Sequence, residues 1–287
     1  DISWLPSSST NWIPHIPWGL MYLPNVPTPG DPVDPMGFAG LRFRLGYTAH
    51  EVQAGSKALG RPETAYGGNL LYWGGNLQDS TSIEAQWQRQ QWAAWHNQVF
   101  LPAAIDAGAK RELLRCLDSP NPTPMTVLYL FCQCTVGDGN DPVLRFGSTT
   151  QSSDVVRRTE LATTPFADRP FVFANACTTS SSDPYIANEL EEGFFRRGCR
   201  AYLGTETKVP IQFASRFATI FFHFFYRKLG YFAHEDPPQP MAAGEALAQT
   251  RLFPWTHYRN IGGLFYTYVN QFELFMADDA DVVALRY

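Results

Sequence analysis

Residues 170–182 read Pro-Phe-Val-Phe-Ala-Asn-Ala-Cys-Thr-Thr-Ser-Ser-Ser. An unbroken run of strand length, Pro170 to Ala176, delivers Cys177 into a polar segment. Runs that do not alternate with polar residues suit strands covered on both faces, as in a parallel sheet. A second such run, Val127 to Cys132, breaks into Gln133-Cys134-Thr135-Val136-Gly137. Ligands of open α/β sheets collect beyond the carboxyl ends of the strands. If these two strands are neighbours, Cys177 and Gln133 face one crevice.

The surrounding pattern supports a layered sheet. After Pro120, Pro122 and Pro124 the chain repeats strand, loop and helix, which predicts an α/β fold with a mostly parallel central sheet and helices on both faces. Val143 to Phe146 and Ala201 to Leu203 read as short strands, and Leu264 to Met276 as one or two closing strands. Helices are expected over Ile186 to Arg197 (stopped by Gly198), Phe213 to Leu229 (stopped by Gly230) and Ala242 to Leu252. Ser148 to Thr164 reads as a polar loop. A smaller α/β half precedes the prolines. There Leu41, Phe43 and Leu45 alternate with Arg42, Arg44 and Gly46 as in a half-exposed strand. Leu70 to Trp73 suggests another strand, and Ser82 to Ala107 a helix that ends or kinks at Pro102. The organisation expected is one domain over 1–287, with an N-terminal half at 1–119 and the half carrying both strand ends at 120–287.

Composition narrows the class. The chain has 287 residues, 45% hydrophobic and 17% charged, with a formal net charge of −5. It is long enough to bury a full core. It lacks the clustered basic charge on which phosphate-backbone binding depends, so nucleic acid is not expected as a partner. The longest strongly apolar stretch, Phe217 to Tyr226, is far shorter than the roughly 20 residues of a membrane-crossing helix. Membrane insertion is not expected either. The chain opens at Asp1 without Met or a signal-peptide pattern, which reads as an excised or processed product. Five thinly spread cysteines do not form a disulfide framework and point to a reducing, cytoplasmic setting.

A thiol becomes a strong nucleophile only as the thiolate, usually beside a histidine or clustered positive charge. A buried strand-end cysteine is more often just a small apolar residue. The context of Cys177 shifts that balance. Asn175-Ala176-Cys177-Thr178-Thr179-Ser180 is similar to the nucleophile motif Ser-Ala-Cys-Glu-Thr-Gly of the CHAT family, a branch of the caspase and separase clan of cysteine peptidases. Ile16 to Tyr22, Phe38 to Phe43, Arg197 to Thr205, Phe225 to Gly230 and Ala243 to Leu247 resemble further segments of that family, in order and over most of the chain.

The resemblance implies a caspase-like fold with Cys177 in the nucleophile's place. The family's base histidine stands in Ala-Cys-His-Gly at the end of the earlier strand. The matching residues here are Phe131-Cys132-Gln133-Cys134. An amide accepts no proton near neutral pH, so Gln133 can hydrogen-bond but cannot deprotonate Cys177. Cys134 replaces the glycine whose backbone, with that of Cys177, is implied to form the oxyanion hole. Of the six histidines, His223 sits mid-helix among aromatics, where a core role is expected. His15, His50 and His96 belong to the first half, and His234 and His257 lie near loops. His257, beside Trp255 and Tyr258, is the best placed to substitute.

Substrate choice is weakly written. Asp183, Glu206 and Asp138 are loop carboxylates that would suit a basic side chain, Arg169 and Arg200 would suit an acidic one, and Phe146, Trp255 and Tyr258 would line a peptide groove. Asp183, Glu206 and Trp255 are the substrate-binding candidates. Cys132 and Cys134 lack the second ligand pair of a structural zinc site, so no metal is expected. Residues 137–141 lack the ligand series of a calcium loop and read as a turn. No Gly-rich phosphate loop is present, and no cofactor is expected. The reading is a caspase-like CHAT domain with a degenerate dyad, a protein-interaction or signalling module. Its cleft would hold a protein or peptide partner, and the resemblance implies sensor or scaffold domains elsewhere in the full-length chain. The alternative is an active CHAT-type endopeptidase using Cys177 with a histidine from elsewhere.

Overall fold

The computed structural model describes residues 18–23, 28, 30, 32–43, 45, 47–48, 63–66, 70–74, 83, 87–88, 90, 99–100, 109–118, 125–136, 142–145, 155–161, 165–166, 169–176, 189–226, 241–270 and 274–277. In chain order these form α1 (Ala39–Arg42), β1 (Tyr47–Thr48), β2 (Glu63–Tyr66), β3 (Leu70–Gly74), β4 (Val99–Phe100), α2 (Ala109–Asp118), β5 (Val127–Phe131), β6 (Gln133–Val136), β7 (Pro142–Arg145) and β8 (Val155–Arg157). They continue with α3 (Arg158–Leu161), β9 (Phe171–Asn175), α4 (Glu189–Arg196), β10 (Ala201–Thr205), α5 (Ile211–Tyr226), α6 (Ala243–Tyr258), β11 (Tyr266–Asn270) and β12 (Leu274–Ala277).

Seven strands make the central sheet in the order β1-β11-β10-β9-β5-β3-β4. The pairs from β4 through to β10 are parallel, β11 runs antiparallel to β10, and β1 is parallel to β11. This is the mixed α/β, mostly parallel sheet that the apolar runs imply. Every residue of β5, β9 and β10 is buried. Successive side chains point to opposite faces, and each face has its own core. Tyr129, Phe131, Phe171, Phe173 and Leu203 meet α5 and α6, whereas Leu128, Leu130, Val172, Ala174 and Tyr202 meet α2, α3 and α4. The first core is aromatic. Phe173 lies edge-on to Phe221 at 5.5 Å and to Tyr266 at 6.0 Å, and Phe217 stacks on Tyr266 at 3.8 Å.

Two small sheets accompany the large one, an antiparallel β6-β7-β8 and a parallel β12-β2. Helix α4 ends as expected at Gly198, whose φ of 91° favours glycine. The N–H groups of Gly198 and Cys199 bond the carbonyls of Phe195 and Phe194. No helix among the described residues is long and apolar enough to cross a membrane.

Four local expectations are corrected. Residues 39–42 are helical, although Leu41-Phe43-Leu45 alternates like a strand. Packing overrides the pattern: Phe38 bridges to Tyr22, and the backbone of Gly40 lies against that of Gly19. The region 82–107 is not one helix. Ile83, Trp87, Gln88 and Gln90 are helical, but Val99–Phe100 is an edge strand beside β3. Within the stretch read as a polar loop, Val155–Arg157 is a strand and Arg158–Leu161 a helix, because the apolar face of Val156 and Leu161 joins the second core. Helix α6 runs six residues past Leu252 and through Pro254. Its end is closed by Arg259 in the left-handed region, whose N–H bonds the carbonyls of Pro254 and Trp255. Gly230, which was to stop α5, lies outside the described residues.

A Cβ built on Gly40 would sit 2.8 Å from Gly19 Cα and 2.9 Å from its carbonyl oxygen, and backbone cannot yield as a side-chain tip can. Overpacking of this kind costs about 1–3 kcal/mol. Gly40→Ala is expected to lower the urea midpoint by that equivalent at unchanged m-value; an unchanged midpoint would show that the two segments do not press together.

Candidate functional site

The parallel register brings strand ends together. Gly74 of β3, Phe131 of β5 and Asn175 of β9 are successive partners across the sheet, and the Thr205 hydroxyl at the end of β10 donates to the Ala176 carbonyl at 2.5 Å. The two runs singled out in the sequence are therefore adjacent and parallel, and Gln133 and Ala176 leave the same edge. Cys177 is the next residue after Ala176. It lies outside the described residues, as do Asp183, Asp138 and Phe146.

Gln133 does not open a loop. After a bend at Cys132 it begins β6, opposite Arg145 of β7. The Arg145 guanidinium donates through Nη2 to Gln133 Oε1. The position that the resemblance assigns to a base thus holds an amide whose oxygen is engaged by a cation. Cys134 is half-buried and packs against the second core, opposite Leu144.

Beneath this edge lies a buried polar network that the sequence reading missed. Asn175 Nδ2 donates to Tyr129 Oη at 2.8 Å and to the Ala214 carbonyl at 2.9 Å, and Asn175 Oδ1 accepts from the Tyr266 hydroxyl at 2.9 Å. Gln88 Nε2 donates to Tyr129 Oη and to the Ser215 carbonyl, both at 3.1 Å. One amide ties the exit of β9 to β5, to β11 and to the first turn of α5. The available signal was Asn175 itself, a polar residue closing a run that is otherwise buried and apolar. A buried amide so placed needs partners on every side.

The other candidates divide by edge. Glu206 follows β10 at the carboxyl edge and is 7% exposed; its carboxylate accepts from the Thr267 hydroxyl and its N–H bonds the Phe265 carbonyl at 2.7 Å. Trp255 is half-buried near the end of α6, with the Arg259 guanidinium 5.2 Å above its ring. Tyr258 is 73% exposed. Both belong to the carboxyl side, since α6 leads through 262–265 into β11, which starts opposite Thr205. Arg169 and Arg200 do not. They precede β9 and β10 at the amino edge, where Arg200 N–H bonds the Pro170 carbonyl, so they cannot face a ligand in the crevice.

The histidines divide similarly. Ala214 at the start of α5 touches Asn175, whereas Phe225, two residues past His223, packs on Phe171 at the start of β9. His223 is fully buried in the core near the amino edge, away from the crevice. His257 is exposed on the carboxyl side, its ring 4.2 Å from that of Phe253. His15, His50, His96 and His234 lie outside the described residues. Among the described cysteines, Cys199 is fully buried. Burial pushes its thiol up and the Glu191 carboxylate adds to this, with Arg169 opposing, so it stays protonated and unreactive. Among the described residues no group of three or more His, Cys, Asp or Glu is placed to hold a metal ion.

No family model and no curated protein matches the chain. Among solved structures it is similar to a chain of the Saccharomyces cerevisiae separase–securin complex, at 12% identity and TM-score 0.47, over 75% of this chain and 13% of that one. It is also similar to gingipain R, an Arg-specific cysteine proteinase, at 9% identity and TM-score 0.46, over 72% of this chain and 46% of that one. The chain therefore spans less than half the length of either.

Removing one partner from a buried hydrogen bond leaves an unsatisfied group worth about 1–3 kcal/mol. Asn175→Ala removes the bonds to Tyr129, Tyr266 and the Ala214 carbonyl and opens a cavity, so a loss of at least about 2 kcal/mol in denaturant unfolding is expected. Tyr266→Phe, which strands only Asn175 Oδ1, is expected to cost less. Equal and negligible losses would show that the network carries no stability.

Proposed function

We propose that this chain is a caspase-like domain that holds a peptide segment of a partner protein in the crevice beyond β5, β9 and β10 without cleaving it. The reading places it as a cytoplasmic interaction or signalling module, joined in a longer protein to sensor or scaffold domains. The observation that carries it is Gln133. Thiol activation needs a proton acceptor, and beside the exit of β9 stands an amide with no basic nitrogen, held by Arg145. A nearby guanidinium also disfavours protonation of any group that would take the role. Binding makes no such demand. Glu206 and Trp255 on the same edge, with Asp183 in the segment after Cys177, are the side chains proposed to contact the bound segment, and the backbone at Cys134 and Cys177 would cradle a carbonyl.

One placement favours a second reading, an active cysteine endopeptidase in which Cys177 is served by a histidine outside the usual position: His257 is exposed on the carboxyl side of the sheet.

The deciding measurement is the labelling rate of Cys177 by a peptidyl thiol-reactive electrophile against pH. In the binding reading the rate follows that of an unstructured thiol, rising towards the ordinary thiol range near 8.5. Fast labelling at neutral pH, lost in His257→Ala, would establish the second reading instead. Supplying the base by Gln133→His is expected to accelerate labelling at neutral pH on the order of 100-fold, the lower end of the usual contribution of a positioned base. No acceleration would assign the defect to the turn at Cys134 or to the Arg145 guanidinium beside position 133.

A further inference from the structure

Exposed apolar residues scattered singly are ordinary, but a concentration of them marks an interaction surface. Among the described residues, every exposed large hydrophobic side chain except Ile83 lies on one of two stretches, 21–36 or 258–261. The first is pinned by its backbone. Leu23 N–H bonds the Gly37 carbonyl at 2.9 Å, and Ala39 N–H bonds the Met21 carbonyl at 2.8 Å. Side chains alternate in such a pairing. Tyr22 turns inward onto Phe38, ring to ring at 5.1 Å, and Met21 and Leu23 turn outward. Val33 and Met36 are exposed on the stretch that returns to Gly37.

The second stretch is the end of α6, where Tyr258 and Ile261 are exposed. The Tyr258 ring lies 6.3 Å from that of Phe253 and 6.2 Å from that of His257. The turn beneath them is fixed: Arg259 closes the helix, and Asn260 Oδ1 accepts the Gly262 N–H at 2.7 Å. This is a preformed aromatic shelf. The two stretches adjoin, since residues 18–20 touch 262–265 and a Cβ built on Gly19 would sit 3.3 Å from the Leu264 carbonyl oxygen. The chain that precedes Trp18 therefore arrives beside both.

We infer that residues 1–17 fold back along this surface as its occupant, with Trp12, Ile13 and Ile16 covering Tyr258 and Ile261. The segment is apolar where the surface is apolar. Trp4, Leu5, Trp12, Ile13 and Ile16 stand among prolines, and Asp1 and His15 are its only ionisable side chains. It is tethered at the surface itself, and a short tether raises the effective concentration to about the millimolar range, which favours it over a separate partner. Pro6, Pro14 and Pro17 restrict the undocked segment and so lower the entropy lost on docking. The other end of the chain fits less well, because Asp278, Asp279 and Asp281 would lose water on an apolar shelf without gaining a partner. So placed, residues 1–17 flank the crevice on the side of Trp255 and His257. The inference goes beyond the reading of the crevice and holds whether that crevice binds or cleaves.

The test uses the 287-residue chain with the photo-cross-linking residue p-benzoylphenylalanine in place of Tyr258 or, as a control, in place of Gln249, which is exposed earlier on the same helix. An equimolar mixture of light and isotope-labelled heavy chain is illuminated and digested, and each adduct is located by fragment-ion mass spectrometry. Position 258 is expected to couple within one chain to residues between Trp12 and Ile16, and position 249 is not. Trp12→Ser with Ile16→Ser is expected to lower the yield at position 258 about tenfold, since burying one such side chain is worth that factor or more. Coupling of position 258 only to other residues of its own chain, coupling between light and heavy copies, or no coupling at all overturns the inference. A yield that the double variant leaves unchanged shows proximity through the tether alone and overturns it as well. The reading of the crevice is judged separately, by the labelling of Cys177.

Discussion

The parallel pairing of β5 with β9, Val127 on Phe171 through Phe131 on Asn175, is the constraint from which the rest follows. Both strands are buried on both faces, so each needs alternate residues to satisfy two different cores. A one-residue slip would exchange those faces and drive Tyr129 and Phe173 into the space occupied by Leu130 and Ala174. With the register held, the two strands end at the same level, Phe131 beside Asn175. The shared edge is a consequence of strand register before it is a matter of particular side chains.

The Asn175 amide reinforces that constraint from within. Apolar packing is nondirectional and sets depth and layer more firmly than it sets the height of a strand end. Hydrogen bonds to Tyr129, Tyr266 and the Ala214 carbonyl are directional, and together they join three strands and a helix at one level. A buried network with its members satisfied rigidifies its surroundings. Here the fixed point is Asn175, the last residue of β9.

The hairpin of β6 and β7 seats Gln133 opposite Arg145, whose guanidinium donates to the amide oxygen. A guanidinium so placed disfavours the protonated state of any neighbouring base, since positive charge stabilises the deprotonated state of an acid and destabilises the protonated state of a base. Of the two described histidines, His223 lies in the core near the amino edge and His257 on the carboxyl side.

Much of the sheet was legible in the sequence because unbroken apolar runs have few places to go. Val127–Phe131, Phe171–Asn175 and Ala201–Leu203 can be buried only between two helical layers, and Gly198 can only end a helix. The short elements were not legible. Ala39–Arg42 alternates like a strand yet coils, because Gly40 is drawn against Gly19, a contact between residues that no local pattern records. Val155–Leu161 looks like loop until its apolar positions meet the second core. The sequence alone determined which residues must lie inside and that Gln133 cannot act as a base, since hydrophobicity and protonation chemistry are properties of side chains. That Gln133 is held by Arg145, that Arg169 and Arg200 stand at the far edge, and that Asn175 is a hub were decided only by the tertiary structure, because register and strand direction set which distant residues share an edge.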